Sequence, residues 1–163
     1  MGGAVDYFLK IEGAAGESAD DKHKGEIDVL SWSWGAQQSG TMQYGGGGGA
    51  GKVQMQDFTF TMRMNKATPK LVLHCASGEH IKSAVMTARK AGKQQQEYLK
   101  LTFTDILVSS YQTGGSGDGD VVPIDSISLN FAKIEFEYKE QKADGTLGGP
   151  IKTHWDLKAN KGG

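Results

Sequence analysis

The sequence predicts a mainly β fold that curls into a closed or nearly closed structure, with one short α-helix beside it. Three observations carry this. Most apolar runs alternate with period two, two long runs change face midway, and only one segment has both start and stop signals for a helix.

Taken in order, "DYFLKIE" places Tyr7, Leu9 and Ile11 on one face of a strand. "EIDVLSWSWG" places Leu30, Trp32 and Trp34 on one face and Ile27 and Val29 on the other. Alternating aromatic and β-branched residues suit a pleated, half-buried surface. Another strand is expected over residues 53–62. In "ATPKLVLHCASGEH", Thr68 is the expected N-cap, Pro69 suits the first helical position and Gly78 the position after the end. Leu71 occupies the place of a capping-box Glu. The expected apolar stripe is Leu71, Val72, Cys75 and Ala76, opposite Lys70, His74 and Ser77, so the helix should lie across the mouth or flank of the β-structure. Strands follow at 81–90, 98–110, 126–139 and 151–158.

The face changes give the curvature. Ile127, Leu129 and Phe131 are odd-numbered and Ile134, Phe136 and Tyr138 even-numbered. Leu99, Leu101 and Phe103 likewise give way to Ile106 and Val108. A one-residue slip of the apolar set requires a bulge or a sharp bend, as in a sheet that rolls up.

The chain of 163 residues reads as a single domain over 1–163, with no linker or internal repeat. A net charge of −1 offers no basic field for nucleic acid. The lone Cys75 cannot form an intramolecular disulfide. No run approaches the ~18 apolar residues of a membrane span, and "MGGAVDYFLKIEG" is not a Sec-type signal peptide.

Glycine is the compositional outlier: 24 residues, about twice the usual ~7% share. In "YGGGGGAGKVQMQDFTF", Gly46, Gly51 and Lys52 match the phosphate-loop pattern G-x-x-x-x-G-K. The match fails on context. Val53 stands where a Ser or Thr would hold Mg²⁺, the following residues alternate like a strand rather than opening a helix, and no buried strand precedes the tract.

Other constellations are equally bland. His74 and Cys75 are helix neighbours and cannot face each other, and Cys75 falls on the apolar stripe. His23, His80 and His154 lack metal-ligand spacing. Glu135 and Glu137 alternate with Lys133 and Lys139, which suits a solvated charge ladder or a subunit contact. "SGDGD" lacks the distal Glu of a Ca²⁺ loop and reads as a turn. Trp32 and Trp34 read as core or interface anchors. No catalytic residue, metal site or cofactor is expected.

The ordered segments "AVDYFLKIEG", "GES", "EIDVLSWSWG", "QSGTM…GGGGGAGK", "ATPKL", "ARKAG", "EYL", "LVSSYQTGGSGDGD", "SLNFAKIEFEY" and "QKADGT" resemble the haemolysin-coregulated protein (Hcp) family, the tube proteins of the bacterial type VI secretion system. The resemblance runs from Ala4 to about Leu157. It implies a small two-sheet β-barrel with a flanking helix, assembled as a hexameric ring (a homohexamer) in stacks. It implies a tube driven by a contractile sheath on a baseplate, tipped by a spike protein, with small effector proteins in the ring lumen. It implies synthesis in the bacterial cytoplasm without a Sec signal, then export to the medium or a target cell; neither enzyme activity, nucleic acid nor membrane insertion is expected. Gly2 and Gly3 precede the Ala-Val-Asp with which the family commonly begins after Met, so they read as additions to the natural start. The chain ends soon after the last strand, so an appended toxin domain is not expected.

A ring needs one surface patch to meet a different patch on the next copy, and stacking adds a second contact that does not close. The segment Ser39, Gly40, Thr41, Met42, Gln43, Tyr44, Gly45, Gly46, Gly47, Gly48, Gly49, Ala50, Gly51 and Lys52 is too long for an ordinary hairpin turn. It is therefore the expected inter-ring stacking loop, in which glycine permits close approach. The competing readings are a monomeric β-barrel that binds a small apolar or sugar ligand near Trp32 and Trp34, and a nucleotide-dependent enzyme built on Gly46 to Lys52.

Overall fold

The computed structural model describes residues 4–38, 52–91, 94–119 and 121–163. The strands are β1 (Val5–Ile11), β2 (Ile27–Asp28), β3 (Ser31–Ser33), β4 (Ala36–Gln37), β5 (Gln54–Met55), β6 (Phe58–Arg63), β7 (Ile81–Lys90), β8 (Gln96–Gly114), β9 (Ile124–Gln141), β10 (Leu147–Asp156) and β11 (Lys161–Gly162). The helix α1 spans Thr68–Ser77, between β6 and β7. The run expected over 53–62 is thus two strands, interrupted at Gln56 and Asp57.

Among the described residues all pairings are antiparallel. One sheet runs β11-β10-β9-β8-β7-β1-β2, with β6 joined to β9 and β3 joined to β6; β4 and β5 form a separate two-stranded sheet. β9 is the spine. One edge pairs with β8 along its length. The other is shared, β6 taking the first part (Phe58↔Leu129 to Arg63↔Ile124) and β10 the second (Asp156↔Lys133 to Leu147↔Gln141).

Among the described residues no ladder closes this sheet into a full ring. The chain itself spans the gap: β2 pairs with β1, β3 pairs with β6, and between them Val29 N–H donates to Tyr7 C=O at 3.0 Å while Leu30 N–H donates to Thr61 C=O at 2.8 Å. The structure is a nearly closed barrel with a corner at Val29–Leu30. That corner corrects the two-faced reading of "EIDVLSWSWG". Ile27 and Val29 are buried before the change of partner, and Trp32 and Trp34 pack on the same core after it, leaving Leu30 outside.

The face changes in β8 and β9 lie opposite one another. Phe103 pairs with Ile134 and Ile106 with Phe131 at one constant offset, so both strands bend without a register slip there. All four side chains are buried. Asp105, at the bend, has φ 55, a left-handed conformation that Asp tolerates better than most residues. A separate register shift lies between Val108 and Ser110.

The core is built from Leu9, Phe58, Phe60, Met62, Met86, Leu101, Phe103, Ile127 and Leu129, all fully buried. Phe58 and Phe103 pack tilted with ring centroids 4.8 Å apart, and Phe103 and Phe131 likewise at 4.9 Å. Each such side chain contributes about 2 kcal/mol by leaving water.

The helix differs from expectation at its start. Ala67 is the N-cap, no side chain caps the first turn, and Thr68 lies inside the helix. The Thr68 hydroxyl is engaged elsewhere: it accepts from Asn65 N–H at 3.1 Å and donates to Asp125 at 2.7 Å. Pro69 and the left-handed Gly78 (φ 72) sit at the two ends as expected. The inward stripe is Thr68, Leu71 and Cys75, whereas Val72, Leu73 and Ala76 are exposed. Aligning a side chain to the barrel wall, rather than hydropathy alone, fixes the helix's rotation.

Candidate functional site

The glycine-rich tract leaves the barrel through a small hairpin. β4 pairs with β5 (Ala36↔Met55, Gln37↔Gln54), and the Gln37 side-chain amide donates to that of Gln54 at 3.3 Å. The expected stacking loop, Ser39 to Gly51, lies outside the described residues. Its last member, Lys52, is exposed and leads into β5. A strand rather than a helix N-terminus follows the lysine, so the phosphate-binding geometry has no helix to supply it.

Beneath this hairpin lies a cleft of about 480 Å³. Trp34, Val53 and Met55 form one wall; Ile134, Phe136 and Trp155 form the other. Trp34 packs on Phe136 with centroids 6.5 Å apart. The indole N–H groups of both Trp34 and Trp155 are buried and find no acceptor among the described residues. A buried, unanswered donor costs about 1–3 kcal/mol. Trp32, the other anchor expected, sits instead against Tyr7 (5.9 Å, edge-on) and Phe58 (6.1 Å).

Apolar side chains also face outward elsewhere. Ile151, 69% exposed, pairs across strands with Tyr138, which is 43% exposed. Leu73 stands 62% exposed on α1. Of the two carboxylates expected in a charge ladder, Glu137 lies between Lys100 on β8 and Lys152 on β10, with Lys152 Nζ 3.3 Å from its Oε1, whereas Glu135 pairs with Thr102 and His154.

The titratable groups singled out from the sequence are dispersed. His74 Nδ1 bonds the Glu79 carbonyl at 2.8 Å, and Cys75 packs, partly buried, on the core. Ser116 and Gly119 close a turn through Gly119 N–H to Ser116 C=O at 3.0 Å. His80 Nδ1 lies 2.7 Å and Lys158 Nζ 2.8 Å from Asp105, whose carboxyl is held below the usual range by Lys158 first and His80 second. This ties the C-terminal segment to the bend in β8. Among the described residues no three His, Cys, Asp or Glu side chains converge as a metal ion would need.

One grouping has no local sequence signature. Phe8, on the outer face of β1, is buried between polar groups: the His23 ring stacks on it at 4.3 Å and the Arg89 guanidinium lies 4.7 Å from its centroid. Arg89 donates to Asp6 (3.0 Å) and to both oxygens of Asp20 (3.0 and 2.7 Å). Arg89 holds the Asp20 carboxyl at about 2, and the Asp20 and Asp6 carboxylates raise the guanidinium further. Its members come from β1, β7 and the connection between β1 and β2, so only the folded chain assembles them.

The comparisons with known proteins are consistent along the chain. Residues 8–138 match the family model described as "Type VI secretion system effector, Hcp". The curated Protein hcp1 of Pseudomonas aeruginosa is 52% identical over 159 residues, covering 96% of this chain and 98% of its own. Among solved structures, Hcp1 from Salmonella typhimurium is 43% identical with a TM-score of 0.83, covering 98% of this chain and 99% of its own. A structure described as a type six secretion system protein is 32% identical with a TM-score of 0.91, covering 98% and 100%.

Proposed function

The chain belongs to the Hcp family of the type VI secretion system, and from that premise we propose that it forms hexameric rings that stack head-to-tail into the secretion tube. A tube role and secretion through the type VI system come with the family, as does self-assembly. The finer reading is that a contractile sheath on a baseplate propels the tube behind a spike protein, and that the ring lumen carries small effector proteins. The chain is made in the bacterial cytoplasm and acts as a structural part, without catalysis.

The observation that carries this reading is the family match over residues 8–138, joined to a fold that leaves apolar surface uncovered. Ile151 with Tyr138, Leu73, and the cleft between Trp34 and Trp155 are the surfaces this reading places against neighbouring copies. Ser39 to Lys52 is the segment it assigns to the contact between rings. Negative-stain imaging or native mass spectrometry of the purified protein should show a ring of six; a compact monomer at micromolar concentration would overturn the proposal. Deleting residues 45–49 should leave single rings intact and weaken stacking. Unchanged stacking would remove the loop assignment while leaving the ring in place.

A further inference from the structure

His23 is 7% exposed, yet both its ring nitrogens meet carboxylates: Nδ1 lies 2.9 Å from Glu26 and Nε2 2.5 Å from Glu97. A neutral imidazole has one N–H and can donate to only one of them; its other nitrogen would point a lone pair at a carboxylate oxygen. With both nitrogens protonated, both contacts become charge-assisted hydrogen bonds.

The charged groups around the ring are mostly acidic. Within its own segment, His23 faces Glu26 and Asp20, whose Oδ1 accepts the His23 backbone N–H at 3.2 Å. From β8 it faces Glu97. Across Phe8 stand Arg89 of β7 and Asp6 of β1, with Arg89 already committed to Asp6 and Asp20. Asp28 of β2 lies in register with Phe8, and its carboxyl is pushed up, first by burial and then by the neighbouring Asp20 and Asp6. Acidic groups therefore outnumber cations around this ring.

What the ring ties together is also defined. Residues 12–26 leave the barrel after β1 and return at β2, folded back on themselves by Gly16 N–H to Gly25 C=O (2.8 Å), Gly25 N–H to Ser18 C=O (2.9 Å) and Ser18 N–H to Glu26 C=O (2.9 Å). Glu97 is 74 positions away, at the start of β8. We propose that His23 is a pH-operated clasp: protonated on both ring nitrogens it pins the 12–26 excursion to β8, and loss of one proton frees the excursion while the barrel stays folded. Outside the clasp the excursion is held by Asp20 to Arg89, by Glu17 to the Lys66 N–H (2.7 Å) and, at its start, by Glu12 N–H to Ser83 C=O (3.0 Å) and by Ala14, which joins the apolar core.

The test uses the assembled full-length protein labelled with ¹⁵N-histidine, titrated between about pH 5 and pH 9, the range in which histidines change charge. Long-range ¹H–¹⁵N spectra should show His23 passing from imidazolium to a neutral tautomer. Amide exchange, corrected for its intrinsic pH dependence, should show the protection of residues 12–26 falling roughly ten- to a hundredfold in the same step, the worth of one hydrogen bond to a charged group. Protection in β8 and β9 should not change. In E97Q the side-chain amide can donate to the deprotonated Nε2, so the excursion should stay protected through the His23 titration. In H23N its protection should be low at every pH. A neutral His23 throughout, protection that ignores its titration, or an E97Q protein with the full pH response would each overturn the clasp.

Discussion

The Thr68 hydroxyl, in the first turn of α1, donates at 2.7 Å to Asp125, a fully buried carboxylate on β9. Tyr111 donates to the other oxygen at 2.9 Å. The helix is thus fastened to the spine of the barrel by the residue that the sequence offers as its cap. Replacing Thr68 by Val keeps the shape but leaves Asp125 with one donor and Asn65 N–H without its acceptor. A loss of about 2–3 kcal/mol is expected in urea unfolding, with an unchanged denaturant slope.

Asp105 sustains φ 55 at the point where β8 and β9 bend together. Asn shares its tolerance of that conformation and should cost little, since the lost contacts to His80 and Lys158 are solvent-exposed. Val at this position is β-branched and should cost about 1–3 kcal/mol more than Asn. Equal unfolding midpoints for D105N and D105V would show that the backbone there is not as described.

Asp20 has its carboxyl lowered from 3.8 to about 2, chiefly by the Arg89 hydrogen bonds. A depressed folded-state value means that the tie is fully present above pH 3.8 and lost as pH falls through about 2. D20N should therefore be less stable than the parent above pH 4 and converge with it toward pH 2. Urea midpoints measured across that interval check the sign.

Gly16 lies where a Cβ would come within 2.6 Å of the Glu26 carbonyl oxygen and 2.8 Å of the Ile27 side chain. The first obstacle is backbone, so G16A must displace the return of the excursion. A cost of about 1–3 kcal/mol is expected, read as a lower melting temperature together with faster amide exchange at residues 16–26.

Period-two alternation made most strands legible, and paired face changes in β8 and β9 made the bend legible. In both strands the apolar set shifts by one residue, and the structure places those shifts opposite each other. Alternation misleads where a strand changes partner, because Val29 and Trp32 reach one core from opposite sides of a corner. A local pattern likewise cannot reveal the Phe8, His23 and Arg89 stack or the cleft between Trp34 and Trp155. Those groups lie up to 121 positions apart in sequence and meet only through sheet topology. The family was legible because many ordered segments carry it, whereas each isolated motif, the Gly46 to Lys52 pattern included, depended on a context it lacked.

The shared edge of β9 also sets a schedule. β6 ends at Arg63 and has no place in the main sheet until residues 124–129 exist; β10, made after β9, takes the remainder of the same edge. A ribosome adding ~5–20 residues per second would hold the first half of the chain unfinished for several seconds. Pairings this distant in sequence put folding in the slow range of small domains, milliseconds to seconds. Truncated chains lacking β9 leave β6 and β8 without the strand that joins them, so the wall is completed only by the last third of the chain.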